Sequence, residues 1–415
     1  MIDPLVAVRA VHFAATVTAG GGVFFRLWVA PVVRRAGGNP IWHIRLEAQL
    51  DRIAWTSLAL VVVSAAAWLL LVAADMSDRP PAMLTRDVIA TVLASTRFGH
   101  VWIARLGLAV VLALCLRRSR PDDRPASACR ITAGVVAAAL LGAVAPAGHA
   151  GATAGTAGVI LLVSDAAHAI AAATWVGGLV PLALLLAAAR SAADGAGLAA
   201  VCAATRRFSN LGLVSVATLL ATGGVDAIFL VGSVPALLGT AYGQLLSAKI
   251  LLFTFMVGIA AVNRLKLTPR LAENGAADAM RGLQRNSLAE AALGLAVIAI
   301  VAALGTIPPA LHVEHAGRRF LAPLESAAID YACSFMPARL CAGAAPPDPP
   351  GADMTTEDGN GSNDLLAAPP RVVNVGLELF AADLARLGAR VVHVQWSPPA
   401  SGNAQLAGLL AKLRS

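Results

Sequence analysis

Residues 159–187 read VILLVSDAAHAIAAATWVGGLVPLALLLA, a run of 29 positions with a single formal charge, Asp165. About 20 apolar residues suffice to carry a helix across the hydrocarbon core of a bilayer. Working outward, seven further runs of this kind lie near 5–29, 53–74, 100–116, 131–147, 209–230, 245–263 and 286–307. Hydrophobic residues make up 58% of the chain and charged residues only 13%, against about 25% charged in soluble domains. These observations predict an all-α integral membrane protein of eight transmembrane helices, with the lipid bilayer as its solvent. The first run is followed by Pro31, Arg34 and Arg35 rather than a small-residue cleavage site, so it is expected to stay as a span.

The net charge of +8 does not indicate nucleic acid, because Lys and Arg fall in short segments between apolar runs. Segments after spans one, three, five and seven hold 17 of them, and segments after spans two, four and six hold only Arg79, Arg86 and Arg97. The positive-inside rule then makes the odd-to-even connections cytoplasmic. Both the N-terminus and the C-terminus are expected on the outer, periplasmic side. The five cysteines contain no CxxC pair, so no zinc ribbon or redox pair is readable.

The chain also repeats itself. His12 precedes Gly21 and Gly22 at the spacing at which His168 precedes Gly177 and Gly178. Residues 96–105, TRFGHVWIAR, match residues 240–249, TAYGQLLSAK, as T-x-aromatic-G-x4-A-basic. Residues 141–149, LGAVAPAGH, match residues 304–312, LGTIPPALH. Three matches in one order predict two tandem four-helix repeats, 1–150 and 151–315. An even number of spans per repeat leaves both in the same orientation, as in parallel-repeat transporters.

The repeat turns scattered histidines into a set. His12 and His168 fall in the outer halves of spans one and five, and His149 and His312 at the outer ends of spans four and eight. Neutral imidazole is a common ligand of copper, zinc and iron, and ionisable groups within a membrane mark pathways or sites. Asp165, one helical turn before His168, is placed to orient that ring. The plainer account of His12 and His168 is hydrogen bonding across helices, and of His149 and His312 solvated helix ends. His43, His315 and His393 read as solvated. The paired glycines read as close helix packing. Arg105 and Lys249 either snorkel to the interface or counter an acidic group such as Asp226, and Trp28, Trp68, Trp102 and Trp175 read as belt or packing aromatics. There is no GxxxxGK[ST] loop for ATP and no methionine cluster.

The stretches VHFAATVTAGGG, TRFGHVWIARLGL, PAGHA, SDAAHAIAAATWVGGL, RRFSNLGLVSVATLLATG, TAYGQLLSAKILLF and LGTIPPALH resemble the CopD family of copper-resistance membrane proteins over residues 5–312. The first repeat departs from the H-x6-W-x-GG pattern of the second, with Ala19 in place of Trp175. The resemblance implies a bacterial inner-membrane protein, not an enzyme, that moves copper. His12, His149, His168 and His312 would be metal ligands, and a separate periplasmic CopC-type chain a partner. The residues alone leave a b-type haem electron-transfer protein, with paired axial histidines, as the alternative, and a non-transporting assembly scaffold as a third.

Residues 316–370 read as a polar, disordered linker rich in Pro, Gly, Asp and Asn. Residues 371–415 predict a small βαβα segment of strand, helix, strand and helix. Its residues VNVGLELFAADL and VVHVQWSPPASG resemble a segment of FdrA-type, acyl-CoA synthetase-like proteins, with no catalytic residue to carry over.

Overall fold

The computed structural model describes residues 3–35, 40–77, 84–118, 126–145, 155–190, 195–230, 234–272, 276–307, 371–375 and 390–394. His149 and His312 lie outside them. The chain divides into two units, Met1–Tyr331 and Ala332–Ser415.

The first unit is helical among its described residues. It comprises α1 (Pro4–Trp28), α2 (Ala30–Arg35), α3 (Pro40–Ser77), α4 (Arg86–Ser95), α5 (Arg97–Arg118) and α6 (Ala126–Gly142), then α7 (Gly155–Arg190), α8 (Gly195–Leu230) and α9 (Val234–Gly239). There follow α10 (Ala241–Val262), a π-helical turn (Asn263–Leu267), α11 (Thr268–Arg270) and α12 (Ala276–Leu304). Asp3 starts α1 by accepting from the Leu5 amide at 2.8 Å, with Pro4 in the first turn, where its missing N–H costs nothing. Among the described residues seven helices are long and apolar enough to cross a membrane. The span expected near 131–147 coincides with a shorter apolar helix, Ala128–Gly142.

Several helices run well past the expected spans. At 1.5 Å per residue, the 38 residues of α3 extend for nearly twice the roughly 30 Å of a hydrocarbon core. The extra turns are amphipathic. Leu46 and Leu50 of α3, Ala200, Val201 and Ala204 of α8, and Met280 and Leu283 of α12 are all buried in one core with Phe25, Val29, Trp175 and Leu179. A second core in the first half joins Val23, Phe24, Leu58, Leu112, Leu140 and Ala173. Outward-facing side chains are apolar too, with Val63 66%, Val214 65% and Phe255 59% exposed. Water would penalise such a surface, and lipid solvates it.

The first helices of the two expected repeats meet backbone to backbone. A methyl group on Gly21 would overlap the backbone of Gly177, and one on Gly177 would overlap the Val17 carbonyl. Pro181 sits inside α7 and supplies no N–H to the Gly177 carbonyl one turn earlier. The neighbouring Gly20 and Gly178 admit Leu141 and Phe208 side chains respectively.

In the second unit, β1 (Arg371–Val375) pairs in parallel with β2 (Arg390–Val394), Arg371 opposite Arg390. A parallel pair requires a crossover of about a dozen residues or more. The helix expected for it, and the one expected after β2, fall outside the described residues.

Candidate functional site

On α1 the buried positions Arg9, His12, Thr16, Ala19 and Val23 recur at helical spacing, forming one inward stripe. His12, 1% exposed, turns into its own half of the molecule. Its Nδ1 lies 2.9 Å from Ser64 Oγ on α3. The Ser64 hydroxyl donates to the Leu60 carbonyl, so its oxygen accepts from the imidazole, and Nδ1 carries the ring proton. That leaves Nε2 with the lone pair. Arg105 Nη2, on α5, donates to it at 2.5 Å.

The second half repeats this geometry. Ser164, Ala171, Trp175 and Leu179 mark the buried stripe of α7, and half-buried His168 lies in register with it. His168 Nδ1 is 2.8 Å from Thr222 Oγ1 on α8, and that hydroxyl donates to the Thr218 carbonyl at 2.7 Å. The same reasoning puts the ring proton on Nδ1 and the lone pair on Nε2. The partner that fixes the ring is therefore Thr222, where Asp165 was expected. Lys249 of α10 acts electrostatically on His168, Asp165 and Asp226. Ser164 donates to Asp226 Oδ1 at 3.0 Å.

The matched basic residues share a helix start. Thr96 Oγ1 accepts from the Gly99 amide at 2.9 Å, and Thr240 Oγ1 from the Gly243 amide at 3.0 Å. Each threonine thus caps the helix that carries Arg105 or Lys249. Arg105 does not snorkel to the interface; it is 7% exposed and turned inward, because the His12 lone pair is there to accept from it.

Around these common features the halves differ. Three residues before each histidine stand Arg9 and Asp165, and four residues after each hydroxyl stand Trp68 and Asp226. In the first half the Arg9 guanidinium lies 5.3 Å from the Trp68 ring centre and 5.6 Å from that of Phe13. It also donates to the Gly305 carbonyl at 3.0 Å. The Trp68 ring centre is 5.5 Å from that of His12, so cation–π and aromatic contacts close this half. In the second half two carboxylates and a lysine occupy the equivalent space. Ser64, Thr222 and Arg9 were not singled out from sequence, although the hydroxyls lie 52 and 54 residues beyond their histidines; Asp226 stands beside Lys249 as one of the two expected roles of that lysine has it.

A further buried group lies toward the other end of the second half. Glu290, 1% exposed, accepts from Asn263 Nδ2 at 2.7 Å, and Asn286 Nδ2 donates to Asn263 Oδ1 at 2.8 Å. The Trp175 side chain faces the same carboxyl group, so this tryptophan packs and orients within the bundle. Among the described residues no three His, Cys, Asp or Glu side chains converge closely enough to hold a metal ion.

Residues 1–159 match the family model for the copper resistance protein D-like N-terminal domain, and residues 202–304 that for copper resistance protein D. Inner membrane protein YebZ of Escherichia coli is 29% identical over 305 residues, 73% of this chain and 98% of that protein. Copper resistance protein D of Pseudomonas syringae pv. tomato is 28% identical over 327 residues, 74% of this chain and 98% of that one. Copper transport protein CutJ of Bacillus subtilis is 32% identical over 222 residues, which cover 53% of this chain but only 38% of that longer protein. No solved structure matches the chain. Two family models in succession, one over residues 1–159 and the other over residues 202–304, place this chain in the copper resistance protein D family.

Proposed function

We propose that the chain carries copper across the bacterial inner membrane, with two parallel four-helix repeats each presenting a histidine to the ion. The observation that carries this reading is the matched fixing of His12 and His168. In both halves Nδ1 is committed to a hydroxyl whose own proton is taken, so Nε2 is the nitrogen left to bind a metal. Holding one ring nitrogen with a hydrogen bond is how proteins orient a metal-binding imidazole. The family's members named for copper resistance and copper transport supply the identity of the ion.

His149 and His312, at the outer ends of spans four and eight, would collect copper, and His168 and His12 would receive it deeper in the membrane. Asp165 and Asp226 would add negative charge beside His168. Few ligands at each stage suit passage, because a site that surrounds an ion fully releases it slowly. At His12 copper must first displace Arg105, so the second half is the one ready to accept it. A separate periplasmic CopC-type protein would deliver or take up the ion. The alternative, an axial haem pair, would likewise require Arg105 to leave the His12 Nε2.

The test is copper accumulation in cells lacking their own copy of the gene, complemented with wild-type chain or with His168→Ala at equal membrane levels. A sharp change in accumulation on wild-type expression, abolished by His168→Ala, is expected. Equal accumulation in the two strains would refute the transport role of this histidine.

A further inference from the structure

The histidine geometry leaves a second polar cluster unused. Three arginines from three helices line one cavity: Arg26 in the last turn of α1, Arg34 in α2 and Arg130 near the start of α6. Among the described residues lining the cavity, Glu47 of α3 is the one acidic group, and it lies 3.4 Å from Arg34. Arg26 and Arg130 both act electrostatically on Arg34, so the lining has an excess of positive charge. Arg26 Nη2 lies 2.7 Å from Asp51 Oδ1. The buried Nε of Arg26 has no hydrogen-bond partner. Buried guanidinium N–H groups without acceptors are costly, and a planar fork of this kind matches the oxygens of a phosphate.

The rest of the cavity wall is aliphatic, including Leu27 and Leu116. We propose that this cavity is a binding site for the phosphate of an anionic glycerophospholipid. The phosphodiester sits among the Arg26, Arg34 and Arg130 guanidinium groups, and the glycerol and upper acyl chain lie along the aliphatic wall. The cavity volume of about 50 Å³ compares with about 10–15 Å³ for one water on the same measure. It has room for a phosphate group but not for a nucleotide base. Basic recesses between transmembrane helices are known places for lipid headgroups. The loop charges put this end of the bundle at the cytoplasmic leaflet. The net positive charge of this lining, three arginines against Glu47, disfavours a copper ion there.

The experiment uses the full chain, purified in detergent, stripped of lipid and examined by native mass spectrometry. It is titrated in parallel with phosphatidylglycerol, with phosphatidylcholine of the same acyl chains, and with inorganic phosphate. Phosphatidylglycerol is expected to bind at roughly tenfold lower concentration than phosphatidylcholine, with no competition from equimolar phosphate. Arg130→Gln is expected to weaken that binding about tenfold, the loss of one charge-assisted contact, and Arg86→Gln, outside the cluster, to leave it unchanged. Equal binding of the two lipids, or full retention of binding by a monodisperse Arg130→Gln protein, overturns the proposal. Displacement of the lipid by equimolar phosphate also overturns it, in favour of a free-anion site. Should Arg130→Gln not yield folded protein, the three-ligand comparison on the wild-type chain decides alone.

Discussion

His12 and His168 share a tautomer but not a neighbourhood, and the difference predicts different consequences for the same substitution. The His12 Nε2 accepts from a guanidinium that is itself buried, and Arg105 Nη1 already has no hydrogen-bond partner. Removing the ring leaves Arg105 with no acceptor at either position. His12→Ala should therefore cost about 1–3 kcal/mol, the usual penalty for orphaning a buried polar group, seen as a lower melting temperature of the detergent-purified protein. His168 has no such dependent. His168→Ala should leave the melting temperature within a degree or two while reducing initial copper uptake at least tenfold. Asp226→Asn should also slow uptake at limiting copper, since it removes a charge that faces Lys249 and His168's surroundings. Uptake at wild-type rates in both second-half variants would assign these residues to packing alone. The histidines themselves were legible, because a repeated H-x8-G-G spacing survives any number of intervening Ala and Leu residues. Their hydroxyl partners were not, because Ser and Thr are frequent in transmembrane helices and only the fold brings residues 52 or 54 positions apart together. The closed character of the first half was equally hidden, since Arg9 and Trp68 acquire meaning only when seen opposite Asp165 and Asp226.

At the scale of helices, two of the three repeat signals have structural causes. The T-x-aromatic-G motif is a helix start, with Thr96 and Thr240 each accepting from the glycine amide three residues on. Thr96→Ala and Thr240→Ala should each destabilise by about 1 kcal/mol, the ordinary worth of an N-cap. Their effects should be similar in size and additive, because the caps lie in different halves. The glycine pair is a backbone contact between α1 and α7. Gly177→Val inserts a side chain where the Val17 carbonyl already stands, so the helices must separate. A cost of about 3 kcal/mol or more is expected, at the upper end for overpacking, read as loss of folded protein in the membrane. Gly22→Ala is the matched control, since a methyl there meets no atom within 4 Å. Helix ends were the least legible part. Hydropathy marks the segment that lipid solvates, but α3, α8 and α12 continue as amphipathic helices whose apolar faces pack on one another. Such residues as Leu46 and Ala200 look, in sequence, like members of charged loops.

For the molecule as a whole, orientation links the histidine set to the arginine cluster, and it follows from charge alone. Seventeen Lys and Arg residues border one end of the spans and three the other. Each would have to cross a barrier of about 2.5–3.5 kcal/mol on an insertion scale if the chain were inverted. We propose on this ground that the end rich in arginine is cytoplasmic and that His12 and His168 lie nearer the periplasm. Copper would meet the histidines from outside, while the arginine recess would meet anionic lipid from within. Both roles depend on this one assignment. It is tested with the native cysteines replaced and single cysteines introduced at Ser119, Arg270, Ala152 or Ser233. A membrane-impermeant maleimide applied to intact spheroplasts should label the Ala152→Cys and Ser233→Cys chains. Ser119→Cys and Arg270→Cys should react only after the membrane is opened. Ending the chain at Pro350 should leave this pattern unchanged, because all the apolar runs precede that point and the second unit begins at Ala332. Labelling of Ser119→Cys in sealed spheroplasts, with protection of Ala152→Cys, would invert the molecule. The histidines would then open toward the cytoplasm, and a role in passing copper outward from that side would replace the one proposed.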